Sequence, residues 1–526
     1  MLNTRIHLLE RFQRRPLFYI LLLALLLRLS AVWNAPGYLM HDDHFLVVEA
    51  GASWAVGEDY DNWLPDSQRE MGIENPAPHP ANFAYVGIVS QIFRGMNAVS
   101  ITNPSTQMVL LRLLHALYSL LIVWFGYRIT VSASNRKTAI WVGLALAGLA
   151  LLPNLSVRQL VEMVCIPPLM WSTYVIIRKK AEERTMRTWL LAGVGLGIAT
   201  ALRFQCGVFG VGMAAAIAID PSIGLWKTKI KSIVALATSA LFMFSLGQIQ
   251  DVFIWGEPFT QLLAYFNYNA EYASEYPQGP WHRYLWTLLG LLIPPLSFAW
   301  AFGFLKVTKQ HAMLVIPALT FFILHSYFSN KQERFILPTL PFIIIAGTIG
   351  WMEFKATSAY WMKRVRLDRN ILGVFIILNV ILGIGFTCVF SKESRVMAMT
   401  TLYEQGDLSN FLAVEVDRYA MPPQFYSGSW ENYWTSDLST DVANHRQVMC
   451  NSSTRAFPNY LLFYGDQHLG EAVEQYRRNY SSMEYVTQIA PGKFDRLLAY
   501  LNPINSVERV MIYRIDPQEE CEHTPH

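Results

Sequence analysis

Apolar residues along this chain gather into long uninterrupted runs, with charged residues confined to the short segments between them. A helix that crosses lipid needs about 20 mainly apolar residues, because each residue rises only about 1.5 Å along the axis. About 11 runs between Pro16 and Phe390 approach that length, and the pattern predicts spans near 16–33, 109–130, 138–153, 160–177, 188–204, 206–219, 230–248, 284–305, 311–328, 335–352 and 371–390. The first, PLFYILLLALLLRLSAVW, follows Arg11, Arg14 and Arg15 and precedes small residues, as a signal peptide would. It is long enough to cross and many spans follow, so it reads as an uncleaved first helix.

Two connecting segments, 34–108 and 249–283, are long and rich in Trp, Tyr, Pro and acids, which is where function concentrates. Within the first, NFAYVGIVSQIFRGM reads as a helix lying at the membrane interface or re-entering it. Beyond Phe390 the apolar runs stop. There PNYLLFYGDQHLGEAVEQYRRNY reads as strand, turn and helix, and ERVMIYRI as a closing strand. The expected architecture is mainly α: a polytopic transmembrane helical bundle over 1–390, then a soluble extracytoplasmic α/β domain over 391–526. No internal repeat appears.

Composition agrees: 53% of the 526 residues are hydrophobic and 15% charged, against about 25% charged in ordinary soluble proteins. If the N-terminus is cytoplasmic, the connections on that side carry roughly 22 basic residues against about seven on the other, which favours this orientation. The net charge of +3 offers no footprint for nucleic acid. Cys165, Cys206, Cys388, Cys450 and Cys521 form no CxxC or metal spacing; Cys450 and Cys521 could pair, but the odd, scattered set argues against a disulfide scaffold. No GxxxxGK[ST] signature occurs. An enzyme acting on the outer face has poor access to nucleotide-activated donors, so an activated substrate should be lipid-linked.

Four constellations carry candidate chemistry. HDDH at 41–44 sets Asp42 beside Asp43; adjacent, partly desolvated carboxylates suit a general base, whereas the same pair at the start of HFLVVEAGASWAV suits a helix cap. Glu49, farther along that run, suits packing or structural hydrogen bonding. HSYFSNKQERFILPTLPF holds Lys331 and Arg334 with Glu333 between them to orient or neutralise, and two outer-side cations fit a lipid phosphate or simply snorkel. DVFIWGEPFTQLLAYFNYNAEYASEYPQGPWHRYLW gathers Asp251, Asn267, Asn269, Tyr276, Trp281 and His282, either a sugar cleft or an aromatic belt, though a belt does not account for Asp251. Arg158 and Glu162 lie at i and i+4, reading as a structural pair, and Arg203 ends another run; ionisable groups at membrane depth are functional candidates.

Taken in this order, the constellations resemble the lipid-phosphate-mannose-dependent mannosyltransferases that elongate N-glycan precursors and GPI anchors, members of the C-type membrane glycosyltransferase superfamily. DDHFLVVE resembles the family's acidic pair and later Glu. Asp251, Gly256, Asn269, Tyr276, Pro280, Trp281 and His282 look like its later lumenal series. Lys331, Glu333, Arg334, Phe335, Leu337 and Pro338 are similar to its His-Lys-Glu-x-Arg-Phe and Leu-Pro, with Asn330 in place of His and one residue inserted. Arg158, Glu162 and Arg203 fit its Arg-bearing helices loosely. The likeness runs over about 16–352 and does not reach the tail.

The resemblance implies inverting transfer of mannose from a dolichyl- or polyprenyl-phosphate donor to a glycan or glycolipid hydroxyl on the non-cytoplasmic face. Asp42 would be the general base and Asp43 its support. Lys331 and Arg334 would hold the departing phosphate, with His282 as a secondary candidate, and Glu333, Asp251, Trp281, Arg158 and Arg203 would complete the substrate-binding set. No metal or cofactor is expected, with a divalent cation at Asp42 and Asp43 left open. A bacterial inner membrane is favoured, or the endoplasmic reticulum if the source is eukaryotic. A transporter or flippase is the rival reading, set back by charge gathered in outer loops and by the missing repeat; transfer of another lipid-phosphate-linked sugar is a third.

Overall fold

The computed structural model describes residues 10–272, 275–276, 278–307, 311–417, 421–501 and 507–522. It divides into two compact units, one of Met1–Asn34, Trp63–Gly87 and Arg112–Cys388, the other of Ala35–Asn62, Ile88–Leu111 and Val389–His526. The second unit thus joins two pieces of the first long loop to the tail.

Every predicted apolar run of the first unit is helical, but fewer cross alone than the count of 11 required. Among the described residues, five helices are long and apolar enough to span: Pro16–Asn34, Pro104–Ala133, Trp226–Trp255, Glu333–Thr357 and Val365–Thr387. A sixth span arises if Arg283–Leu291 and Leu296–Lys306, bent by 118°, are taken together. The bend falls at Pro294 and Pro295, which lack the N–H that continues a helix. Val161–Ile177, Met186–Leu202, Phe204–Ile219 and Ala312–Tyr327 are shorter apolar helices. The segment read as NFAYVGIVSQIFRGM is helical over Phe83–Ala98.

Small residues let these helices approach closely, since apolar burial drives little association in lipid. A Cβ at Gly193 or Gly197 would run into the carbonyls of Leu236 and Ala240, so Met186–Leu202 and Trp226–Gly247 meet backbone to backbone. One charge sits inside the first span: Arg28, 1% exposed, donates to Ser119 Oγ at 2.8 Å and to the carbonyls of Ala24 and Ala147. A guanidinium at that depth is tolerable only when its donors are satisfied in this way.

In the second unit a five-stranded sheet runs β2-β1-β3-β5-β4, with β1 Phe411–Glu415, β2 Trp434–Asp437, β3 Tyr460–Gly465, β4 Glu484–Ile489 and β5 Arg509–Arg514. β2, β1 and β3 are parallel; β5 is antiparallel to β3 and β4. β3 is buried along its whole length, as a central strand covered on both faces requires. The strand, turn and helix read at 458–480 and the closing strand at 508–515 are all present. Arg395 ties the helix Glu393–Gln405 to this core through Glu508, its Nε 2.7 Å from the carboxylate.

Cys450 and Cys521 are bonded to each other, while Cys165, Cys206 and Cys388 are free. The bond closes a loop 71 residues long, and a cross-link of that length stabilises chiefly by restricting the unfolded chain. Replacing both cysteines by serine should lower the stability of the α/β domain by about 2–5 kcal/mol. Tryptic nicking of residues 442–522 measures it; an unchanged nicking rate would contradict the assignment.

Candidate functional site

In the first unit three breaks in helical structure bring ionisable groups together. Glu162 opens the short helix Val161–Val164, Arg203 follows Leu202 with an extended backbone, and Arg334 lies in the 3-10 segment Glu333–Thr339. Side chains at helix ends turn inward here because the interrupted backbone lines protein, not lipid. Arg203 Nη1 forms an ion pair with Glu162 Oε1, and Arg334 Nε lies 3.7 Å from the same oxygen. Arg334 also donates to Gln332 Oε1 from Nε at 2.9 Å. The Phe335 ring lies 5.2 Å from the Arg203 guanidinium and 5.6 Å from that of Arg334. All three ionisable residues are buried, so one carboxylate faces two guanidiniums in an apolar setting. Arg203 Nε and Nη2 and Glu162 Oε2 are sealed from solvent and have no hydrogen-bond partner. Unsatisfied guanidinium donors beside a net positive charge are the chemistry that an anion would complement.

The expected pairing of Glu162 with Arg158 is replaced by the pairing with Arg203. Residues 156–160 are not helical, so i and i+4 there do not share a helical face. Arg158, buried, sends its Nε to Asn154 Oδ1 at 2.9 Å. Lys331 is turned onto the end of the helix Ala312–Tyr327: Nζ donates to the carbonyls of His325 at 3.0 Å, Ser326 at 2.9 Å and Phe328. Its ammonium lies 5.1 Å from the Tyr284 ring, and burial, then the charge of Arg283, pulls its pKa below the usual lysine range. Three donors spent on helix-end carbonyls make Lys331 a cap for that dipole. Glu333 does not stand between the two cations as expected; it pairs with Arg283 at 2.8 Å on the surface.

Asp251, fully buried, accepts the N–H of Gln261 at 3.1 Å and so anchors the first turn of Thr260–Tyr272, while Gln261 Oε1 accepts the N–H of Phe83 at 3.3 Å. Trp281 and His282 are exposed neighbours packed edge to face. Tyr284 and Gln332 belong to the cluster and were not singled out from sequence, although both lie within the quoted motifs.

In the second unit the HDDH segment forms a single turn, His41–His44, leading into a π-helical stretch Phe45–Glu49 and then Ala50–Val56. The two aspartates separate in role. Asp43 is buried and folds back on its own helix start, accepting the N–H groups of Met40 at 3.1 Å and Leu39 at 3.4 Å, which is the capping alternative. Asp42, beside it, is half-buried. His44 stacks on Tyr38 and Tyr426 and places Nε2 3.1 Å from Glu49 Oε1. That same oxygen accepts the N–H of Phe425 at 3.1 Å, so Glu49 is a structural acceptor holding the turn to the tail.

Burial pushes the Glu49 carboxyl well above the usual range. Asp61 is pushed up to about 8 by burial, then by the charges of Glu49 and Asp59. Its Oδ2 is buried without a hydrogen-bond partner. Asp61 was missed from sequence, although EDYDNW packs three acids among aromatics. Among the described residues no group of three or more His, Cys, Asp or Glu is arranged to hold a metal ion.

The family model of the Alg9-like mannosyltransferase family matches residues 11–426 of this chain. The chain belongs to that family. The match reaches past the last long helix into the tail, beyond the region where the motifs alone carried the likeness. The fold is similar to ArnT from Cupriavidus metallidurans bound to undecaprenyl phosphate, with a TM-score of 0.57, 12% identity, and 94% of this chain and 97% of that one covered. It is similar also to apo ArnT from the same organism, with a TM-score of 0.54, 11% identity, and 97% and 99% covered. No curated protein sequence matches. This Alg9-like protein is therefore a multi-pass membrane glycosyltransferase with the C-type fold.

The raised Asp61 carboxyl ties stability to pH. The folded chain keeps a proton on Asp61 that the unfolded chain releases above about pH 4, so this contribution is present at low pH and is lost as pH rises towards 8. The melting temperature of the wild type should fall between pH 5 and pH 8.5, and that of Asp61→Asn should fall less. Parallel curves for the two proteins would contradict the assignment.

Proposed function

We propose that the protein transfers mannose from a polyprenyl- or dolichyl-phosphate donor to a hydroxyl of a glycan or glycolipid acceptor, with inversion at the anomeric carbon. The observation that carries the reading is the buried Glu162, Arg203 and Arg334 cluster, cationic overall and with orphaned guanidinium donors, in a member of a mannosyltransferase family. Arg presents a planar fork matched to phosphate oxygens. The polyprenyl phosphate bound by the fold-related ArnT gives the same ligand chemistry.

The proposed reaction assigns each step to a group. Asp42 takes the proton of the acceptor hydroxyl as its oxygen attacks the anomeric carbon. The bond from that carbon to the lipid phosphate oxygen breaks, and the phosphate leaves with the bonding pair. Arg203 and Arg334 stabilise the charge that builds on the leaving phosphate, an effect strongest where water is excluded. Asp43, committed to the helix start, holds Asp42 in place. Lys331 supports the cluster by capping a helix, and Asp251 supports it by fixing a loop; His282 and Trp281 remain candidates for contacts with the mobile lipid or acceptor. The chemistry needs no metal, since fixed cations balance the leaving group.

The active face is assigned away from the cytoplasm. Basic residues on the alternate connections support that orientation, and so does the Cys450–Cys521 bond, which persists in oxidising compartments.

Purified enzyme given polyprenyl-phosphate-mannose and a mannose-terminated acceptor should form a product of inverted configuration and keep turning over after chelation. Asp42→Asn should lower kcat by about 10²–10⁴-fold with a wild-type melting profile. Full turnover by Asp42→Asn, or a retained configuration, would reject the mechanism; transfer only from another lipid-phosphate sugar would reject the donor. Lys331→Met should instead reduce the yield of folded protein, and a stable Lys331→Met enzyme with a raised donor KM would return Lys331 to the phosphate.

A further inference from the structure

The α/β domain carries a groove that the proposed chemistry does not use. Asp441 starts the helix Val442–Cys450 by accepting the N–H groups of Ala443 at 3.1 Å and Asn444 at 3.2 Å. On that helix Asn444, Gln447 and Val448, with the capping residue Asn451 just past its end, recur at i, i+3, i+4 and i+7, so they form one stripe. The stripe lies beside Trp434 of the edge strand β2 and the hydroxyls of residues 452–454, and together they outline an open surface depression of about 510 Å³. That volume lies in the range of small-ligand sites, about 300–1,000 Å³.

The lining has a definite chemistry. It holds three amides, three hydroxyls, one valine and one indole, and no charged side chain. Amides and hydroxyls both donate and accept hydrogen bonds, which matches the paired donor and acceptor character of vicinal sugar hydroxyls. The neighbouring Arg455 guanidinium lies over the Trp434 ring and is not one of the lining groups. The indole supplies an apolar wall for the C–H face of a ring.

The walls are also held in place before any ligand arrives. Trp434 Nε1 donates to the Ala456 carbonyl at 2.9 Å, and the Arg455 guanidinium lies 5.3 Å from its ring. Ser452 Oγ accepts the N–H of Arg455 at 3.2 Å, fixing the hydroxyl loop. The Cys450–Cys521 bond pins the helix one residue before Asn451. Groups ordered in advance lose little entropy on binding.

We propose that this groove binds a neutral oligosaccharide, the glycan portion of the acceptor, and so holds the acceptor by a part remote from the reacting hydroxyl. The choice of occupant rests on the glycosyltransferase reading above; the groove chemistry itself does not.

The test uses the full chain in detergent and α-linked mannotriose as probe, with binding followed by calorimetry. Wild-type protein should bind it saturably. The exposed pair Asn444→Ala/Gln447→Ala should melt as wild type but bind at least ten-fold more weakly, and in the transfer assay should raise the acceptor KM with kcat and donor KM unchanged. Asp42→Asn should bind mannotriose as wild type does, so failure of the catalytic assignment and failure of the groove are told apart. The proposal is overturned by absence of saturable binding, by undiminished binding to the double variant, or by displacement of the sugar by a neutral peptide at lower concentration. It is equally overturned if the purified protein carries its own glycan on Asn451, which begins the Asn-x-Ser sequence Asn451-Ser452-Ser453, because that glycan would fill the groove.

Discussion

One carboxylate sealed among apolar helices with two guanidiniums is the constraint on which the first unit is built. Removing one member of a buried pair typically costs about 3–5 kcal/mol, because the survivor is left charged and unsolvated. Glu162, Arg203 and Arg334 come from three separate breaks in the helical pattern, so the cluster can form only when all three are positioned. The surrounding devices serve that end. Glycine contacts bring Met186–Leu202, which delivers Arg203, against its neighbour, and Lys331 neutralises the end of Ala312–Tyr327, three residues before Arg334. Excess positive charge in such a place remains costly until an anion arrives, and this is the basis for proposing a phosphate-bearing lipid as the donor.

The second unit answers a different physical problem. HDDHFLVVE holds three carboxylates, two of them buried, and hydrogen bonds within this unit satisfy the buried pair. Asp43 closes on its own helix start, and Glu49 is taken up by the Phe425 N–H and His44. Asp42 is half-buried at the same turn. The strand-rich tail holds this arrangement through Phe425 and Tyr426 as well as carrying a groove of its own.

Most of the fold was legible because long apolar runs admit few conformations, and each became helix. Their division was less legible. Pro167, Pro168, Pro294 and Pro295 stand in plain view, yet whether a proline bends a span or merely starts a new helix depends on packing. The same gap misassigned Glu162: the i, i+4 rule presumes a continuous helix, and the backbone is irregular between Arg158 and Glu162. Residue type identified Arg203 and Arg334 as candidates, but not that Lys331 would be consumed by helix-end carbonyls, since that depends on where the preceding helix stops. The role of Asp43 was visible as one of two alternatives. The pressure on Asp61 was not, because it comes chiefly from burial, which the local pattern EDYDNW does not disclose.

The account turns on whether the buried guanidinium cluster is a lipid-phosphate receptor. Native mass spectrometry of the full chain in mild detergent, with polyprenyl monophosphate added, measures this directly. The account predicts one retained lipid per wild-type chain, and at least ten-fold lower occupancy in the charge-balanced Glu162→Gln/Arg203→Gln protein when it melts as wild type does. Equal occupancy in the two folded proteins would contradict it.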